Sequence, residues 1–261
     1  MADAESSSMV LTPLHGIPLV QEGHDLGALI LKALDLTGIS LQDGDIIVVA
    51  QKVVSKVEGR KVQLRTVTPS PAAEELARTT QKDPRVVELI LRDSKEVIRT
   101  RPGLIITEHL NGFICANAGI DHSNVDPEGG RTEDWVLLLP RDPDASAASL
   151  RQRLEAESGS RIGVLIIDSH GRAWRLGTVG ISIGLSGLPG LQDLRGQPDL
   201  FDFRLKVTRV GVADELAAGA SLLMGQASEG KPVVHVRGFP YPLREADHHE
   251  LLRPKEEDLF R

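Results

Sequence analysis

Apolar positions recur at helical spacing after Asp25, at Leu26, Leu29, Ile30, Ala33 and Leu34, and Gly38 supplies a left-handed stop. A helix is predicted there. The period then changes: Asp43-Gly44 precedes a β-branched block, Ile46 to Val49, that reads as a buried strand opening into a polar loop at QKVVSK. Ser70-Pro71 and Asp83-Pro84 each pair an N-cap residue with proline at the first helical position, predicting two more helices with apolar faces at Leu76 and at Val86, Leu89 and Ile90. From Leu104 the pattern is that of strands. LIITEHL, the turn Asn111-Gly112 and FICANAG form the strongest short-range hairpin signal in the chain. A strand at Trp135 to Leu139 follows, then a charged helix near Ala145 to Glu157, then GVLIID, an apolar strand read as terminating at Asp168. Glycines at 177, 180, 184, 187 and 190 exclude a long helix next and permit positive φ or a close approach of backbone and ligand. Strand RLKVTRV, helix DELAAGASLLMGQ, loop ASEGKP and strand VVHVRG complete the globular part.

Helices and strands alternate, but the Asn-Gly hairpin breaks a regular βαβ rhythm, so an α+β fold with mixed sheets and helices is predicted. Residues 1–9 read as a disordered N-terminus, 10–244 as one domain, and 245–261, charged and weakly apolar, as a tail or linker.

Composition narrows the function. Across 261 residues the formal net charge is −7 and no Lys/Arg run occurs, which excludes a nucleic-acid partner but leaves room for a small anion held by a few donors. No apolar stretch approaches the ~20 residues needed to span a bilayer, so no membrane partner is expected. Cys115 is the only cysteine, which rules out an intrachain disulfide and a Cys-rich zinc site and points to the cytoplasm. As a thiol flanked by apolar residues in a strand pattern, it reads as buried and inert.

Two acidic segments stand out. NAGIDHSN offers Asp121 as a hard carboxylate between the amides of Asn117 and Asn124; taken alone it is a polar turn. IIDSHGR offers Asp168 and Ser169, whose bland reading is a cap and a local backbone hydrogen bond. Together they suggest oxygen ligands to one cation of the Mg²⁺ or Mn²⁺ class, which takes one or two carboxylates plus waters and phosphate oxygens. His122 and His170 beside them read as exposed or structural, and His248-His249 in the presumed tail as an incidental metal binder. Lys52, Lys56, Arg172 and Arg175 suit phosphate or carboxylate charge, although solvated surface is the commoner role of such residues. No G-x-x-x-x-G-K-[ST], G-x-G-x-x-G or G-x-S-x-G element occurs. MGQASEGKP is an alternative nucleotide cradle, or simply a glycine-ended helix and its loop.

In this order, HGIPLV, QKVVSKVEGR, CANAGIDHSNV, IIDSHGRAWRLGTVGISIG and LLMGQASEGKP resemble the coenzyme F420-0:L-glutamate ligase family over about residues 10 to 238. The resemblance implies a distinctive α+β ligase fold, an intertwined homodimer, and GTP-driven joining of L-glutamate to the deazaflavin precursor coenzyme F420-0 through an acyl phosphate, releasing GDP and phosphate. It also implies GTP contacts at Ile17, Pro18, Leu19, Val20, Gln51, Lys52, Lys56, Asn124, Met224, Gly225, Gln226, Ala227, Ser228, Glu229, Gly230 and Lys231. A first Mg²⁺ or Mn²⁺ is expected at Asp121 and Asp168, and a second ion at Ser169 and Gln226, with K⁺ as a further cation. Asp121, Asp168 and Lys56 are the expected catalytic residues. In bacterial relatives this portion is commonly followed by a nitroreductase-like flavin domain, and RPKEEDLFR is similar to the connecting segment. The competing readings are a metal-dependent phosphohydrolase and a nucleotide- or deazaflavin-binding module without turnover.

Overall fold

The pleat of two strands organises the molecule. In the computed structural model, which describes residues 8–126 and 130–260, β1 (Val10–Pro13), α1 (Leu26–Thr37), β2 (Ile46–Ala50), α2 (Gln51–Val57) and β3 (Lys61–Gln63) open the chain. A lobe of α3 (Pro71–Thr80), α4 (Pro84–Arg92), β4 (Ser94–Arg101), β5 (Leu104–His109) and β6 (Ile114–Ala116) follows. Then come β7 (Trp135–Leu137), α5 (Pro143–Ser158), β8 (Gly163–Arg172), β9 (Arg175–Ser186), the short pair β10 (Gln192–Asp193) and β11 (Arg209–Val210), α6 (Val212–Met224) and β12 (Val233–Arg237). The central sheet has the order β1-β12-β2-β8-β9, parallel only between β2 and β8. Smaller antiparallel sheets, β4-β5-β6 and β3-β7, stand beside it, in keeping with the predicted mixture of sheets and helices.

Successive side chains of a strand face opposite ways. In β2, Ile47 and Val49 enter one core with α1 and α5, while Ile46 and Val48 enter another with α6; in β8, Val164 and Ile166 join the first and Leu165 and Ile167 the second. Two cores on one sheet explain why these strands read as unbroken apolar runs. A third core, with Val86, Ile90 and Ile105, holds the α3-α4 lobe. The expected caps at Ser70 and Asp83 are present, their side chains accepting backbone N–H groups of α3 and α4, Gly38 is left-handed at φ 73°, and Asp25 and Asp142 cap α1 and α5 in the same way.

Four expectations need correction. QKVVSK is helix α2, not a polar loop, because Val53 and Val54 pack into the first core. Strand β8 continues through Asp168 to Arg172, because β9 pairs along it: Asp168 lies opposite Ile181 and His170 opposite Val179. Gly177 and Gly187 take the positive φ expected of them, 81° and 77°, but Gly180 and Gly184 approach helices rather than a ligand: a Cβ on Gly180 would lie 2.5 Å from the Ala217 carbonyl oxygen and one on Gly184 would meet Pro143. Only Arg209 and Val210 of RLKVTRV form a strand; Val207 is exposed, so little burial favours a longer one.

Residues 1–7 of the expected disordered terminus lie outside the described residues, and β1 begins at Val10. Of the expected 245–261 tail or linker, residue 261 lies outside the described residues and 245–260 are anchored to the body: His248 is buried, and Glu250 accepts the Gly190 and Leu191 backbone N–H groups. No helix among the described residues is long and apolar enough to cross a membrane.

Candidate active site at one end of the central sheet

The sheet register brings the five sequence segments together. Ala50, the last residue of β2, lies beside Ile167, so Gln51 and Lys52 emerge next to Asp168. The Ala50 N–H donates to Pro232 O at 2.8 Å, which carries the end of the 224–232 loop to the same point. Leu14 N–H bonds Val233 O at 2.9 Å and Gly23 N–H bonds Val57 O at 3.0 Å, so the segment holding Ile17 to Val20 runs from the start of β12 to the end of α2. There Pro18 and Leu19 are exposed and Val20 is buried. Ligand sites of α/β sheets commonly lie beyond the carboxyl ends of parallel strands, and this end receives β2.

Asp121 arrives by an unusual turn. Asn117, Ala118 and Gly119 are consecutively left-handed, at φ 52°, 51° and 69°, and Ala118 is fully buried. The turn is held by Asn117 Oδ1, which accepts Ile105 N–H at 3.2 Å, and by the paired backbone bonds of Asp121 with Leu137. Such strain persists where surroundings over-determine the backbone, and it clusters at functional sites. Asn124, also left-handed at φ 57°, extends its amide to Ala227 O at 3.0 Å and so ties this loop to the 224–231 loop.

The Asp121 carboxylate meets Lys52 Nζ at 2.6 Å and accepts the Ser123 N–H at 2.7 Å. Burial opposes its charge, but Lys52 and Ser123 outweigh it and hold the acid below the usual aspartate range. Lys52 also donates to Ser123 Oγ at 2.6 Å. Lys56, one turn on, shares that helix face. Burial first, then the Lys52 charge, hold its ammonium below the ordinary lysine value against the pull of Asp126 and Asp121. Gln51 differs from its neighbours: its side chain is buried and its Oε1 accepts the Ser55 hydroxyl at 2.9 Å, leaving the backbone as its outward face.

Asp168 lies on the β8 face shared with β6, and its charge helps raise the Cys115 thiol, which burial above all pushes up to about 12. That thiol is inert, as the sequence predicted. Ser169, one residue on, faces the other way. Its hydroxyl donates to Gln226 Oε1 at 2.9 Å, and Gln226 Nε2 donates to Ser221 at 3.1 Å. Gly225, at φ 74°, turns the chain out of α6, and Glu229 folds back to accept Ala227 N–H at 2.8 Å; Ser228 and Gly230 are exposed.

The expected ligand residues offer the carboxylates of Asp121 and Asp168 and the hydroxyl and amide oxygens of Ser169 and Gln226, and of these the structure joins Ser169 to Gln226 directly. All are hard oxygens, the chemistry a divalent cation of the Mg²⁺ class takes, and a cation at Asp121 would replace Lys52 on its carboxylate. Arg172 donates to Leu176 O within the β8-β9 hairpin, and Arg175 is exposed there. One cluster of metal-ligand type, Asp144 with His248 and His249, occurs among the described residues. His248 spends both ring nitrogens structurally, on Asp144 at 2.6 Å and Asn111 O at 2.7 Å.

Two features escaped sequence reasoning. The three-residue left-handed turn gave only a turn signal, because no propensity predicts a left-handed alanine. Ser123 stood within the DHSN cluster, but nothing local paired it with Lys52, 71 residues away.

The match to known proteins can now be set on this geometry. The family model for F420-0:gamma-glutamyl ligase matches residues 16–238. The chain belongs to that family. It is 47% identical over 253 residues, 96% of this chain and 98% of the relative, to the coenzyme F420:L-glutamate ligase of Methanothermobacter thermautotrophicus. It is 46% identical over 221 residues, 85% of this chain and 86% of the relative, to the protein of that name from Methanocaldococcus jannaschii, and 44% identical to that of Methanopyrus kandleri over 93% of each. Apart from His15, all five sequence segments fall within the residues that the family model matches.

Proposed function

We propose that this chain, a ligase of the F420 glutamate ligase family, joins L-glutamate to coenzyme F420-0 with hydrolysis of GTP to GDP and phosphate. The observation that carries the reading is a set of three side-chain links, Lys52 to Asp121, Asn124 to Ala227 and Ser169 to Gln226, that unite distant segments at one sheet end in a member of this family.

The chemistry follows from the substrates. A carboxylate is a poor electrophile, so the precursor's carboxylate attacks the γ-phosphate of GTP, giving an acyl phosphate and GDP. The glutamate amine then attacks the acyl carbon; the C–N bond forms, phosphate leaves with the C–O electron pair, and a proton is lost from nitrogen. Phosphoryl transfer of this kind rests on positioning and charge stabilisation. Lys52 and Lys56 supply two cationic groups on one face of α2. The 224–231 loop supplies exposed backbone that Glu229 holds in shape, and Asp121, Asp168, Ser169 and Gln226 are the residues that would hold Mg²⁺ or Mn²⁺. When bound, such ions neutralise charge on the phosphate oxygens. No covalent enzyme nucleophile is needed, in keeping with the inert Cys115.

The homodimer belongs to the same proposal. It is supported by large apolar side chains left exposed at Trp174, Leu176, Leu200 and Phe201, more than isolated surface apolars require.

Incubation with GTP, Mn²⁺ and coenzyme F420-0, with and without L-glutamate, tests the reading through GDP release and product mass. Glutamate-dependent mass gain matched by GDP supports it. GDP release without mass gain would make the protein a phosphohydrolase, and binding without either a sensor.

A further inference from the structure

We propose that His170 is a positioning residue that holds the Asp168 carboxylate in the orientation a cation requires. The inference rests on the reading of Asp168 as a cation ligand. Residues 168 and 170 stand two apart on β8, on one face, and antiparallel pairing with Ile181 and Val179 immobilises the backbone beneath both. His170 Nε2 lies 2.9 Å from Asp168 Oδ2, with 8% and 13% of the two side chains exposed. The bond occupies Oδ2 and leaves Oδ1 as the oxygen offered to a cation.

Packing holds the ring in turn. Phe113 lies against it with centroids 5.7 Å apart and is itself stacked on His109 at 4.9 Å, and His109 Nδ1 accepts the Asn111 N–H. The β5-β6 hairpin thus braces a residue of β8.

A comparison within this cluster separates positioning from plain structure. His248 satisfies both ring nitrogens, on Asp144 and on the Asn111 carbonyl, and so staples two segments together. In His170, Nδ1 is buried without a hydrogen-bond partner among the described residues, and the ring's hydrogen bond goes to Asp168 alone. His109 also buries an orphan nitrogen, Nε2, but its other nitrogen only accepts the Asn111 N–H; what sets His170 apart is that its one ring hydrogen bond goes to the Asp168 carboxylate. Partners that orient metal ligands in this way typically change metal affinity about 10- to 100-fold when removed.

The test uses the full chain and Mn²⁺, followed by electron paramagnetic resonance with and without GDP. His170→Phe keeps the ring volume and removes the donor; His170→Gln keeps a donor near the position of Nε2; Asp168→Asn removes the anionic ligand. We expect His170→Phe to weaken Mn²⁺ binding roughly 10-fold and to raise the Mn²⁺ concentration for half-maximal rate, with the KM for L-glutamate and the melting temperature little changed. His170→Gln should recover most of the affinity, and Asp168→Asn should lose binding altogether. Wild-type Mn²⁺ affinity in His170→Phe, with binding lost in Asp168→Asn, would overturn the role of His170 while leaving Asp168 in place. Equal losses in His170→Phe and His170→Gln would also overturn it, since packing rather than the hydrogen bond would then be responsible. Undiminished binding in Asp168→Asn, or none in the wild type, would remove the cation reading of Asp168 and this inference with it.

Discussion

Asp121 and Asp168 reach the same end of the sheet by opposite means. Asp168 sits in a long antiparallel hairpin, its backbone held on either side of the residue by regular pairing. Asp121 follows three left-handed residues, one of them a buried alanine, and depends on an asparagine side chain and two backbone bonds to Leu137 to stay there. A carboxylate on a ladder is rigid because many interchangeable hydrogen bonds share the task. A carboxylate after a strained turn is positioned only while every neighbour remains in place. The two halves of the site should therefore fail differently when damaged.

The largest effect is expected from removing the carboxylates themselves. Asp121→Asn and Asp168→Asn should each lower turnover roughly 100-fold or more, about 3 kcal/mol of barrier, while circular dichroism and melting stay near wild type. Near-normal ligation by both would break the comparison at its root.

Next comes the turn. Gly119→Ala combines a positive φ with a Cβ placed 2.4 Å from Cδ1 of the fully buried Leu139. It should destabilise by about 1–3 kcal/mol in urea unfolding and also reduce ligation, because Asp121 moves with the turn. Stability lost without any change in rate would show that Asp121 is held independently of Gly119.

On the ladder side, Gly184→Ala would drive a Cβ into the Pro143 backbone at 2.5 Å, where α5 crosses β9. A stability loss of about 1–3 kcal/mol is expected with Mn²⁺ affinity unchanged. If affinity fell as steeply as in Gly119→Ala, the two halves would not differ in the way described.

The smallest effect concerns the C-terminal segment. Burial opposes charge on His248, but its hydrogen bonds to Asp144 and Asn111, with the nearby carboxylates, raise its pKa above 6.5. The stabilisation it gives is thus complete below pH 6.5 and is lost as pH rises through the folded-state value. Burial opposes charge on Asp144 too, yet His248 and the Leu185 N–H lower its pKa below 3.8, so its contribution holds above pH 3.8 and fades as acid carries the pH through the lowered value. Amide exchange in residues 245–260 should accelerate modestly from pH 6 to pH 8 beyond the intrinsic rate, and His248→Phe should abolish that excess. No excess in the wild type would mean that the ion pair does not govern docking.

Much of the molecule was legible along the chain because local rules governed it. Asp25 with Gly38, Ser70-Pro71, Asp83-Pro84 and the Asn111-Gly112 turn announce themselves within a few residues, and the apolar runs of β2 and β8 reflect burial on both faces. The five segments were likewise readable as chemistry, and their order carried the family. What no window of sequence held was the company each residue keeps. Whether β8 stops at Asp168 or runs on depends on β9 lying alongside it; whether Gly180 and Gly184 receive a ligand or a helix depends on where α6 and α5 cross. The pairing of Lys52 with Asp121, the brace of Phe113 behind His170, and the capture of His248 by Asp144 join positions separated by between 57 and 104 residues. Hydrogen bonds and excluded volume act over a few ångströms of space with no regard for distance along the chain, so residue types were decided by sequence and partners by folding.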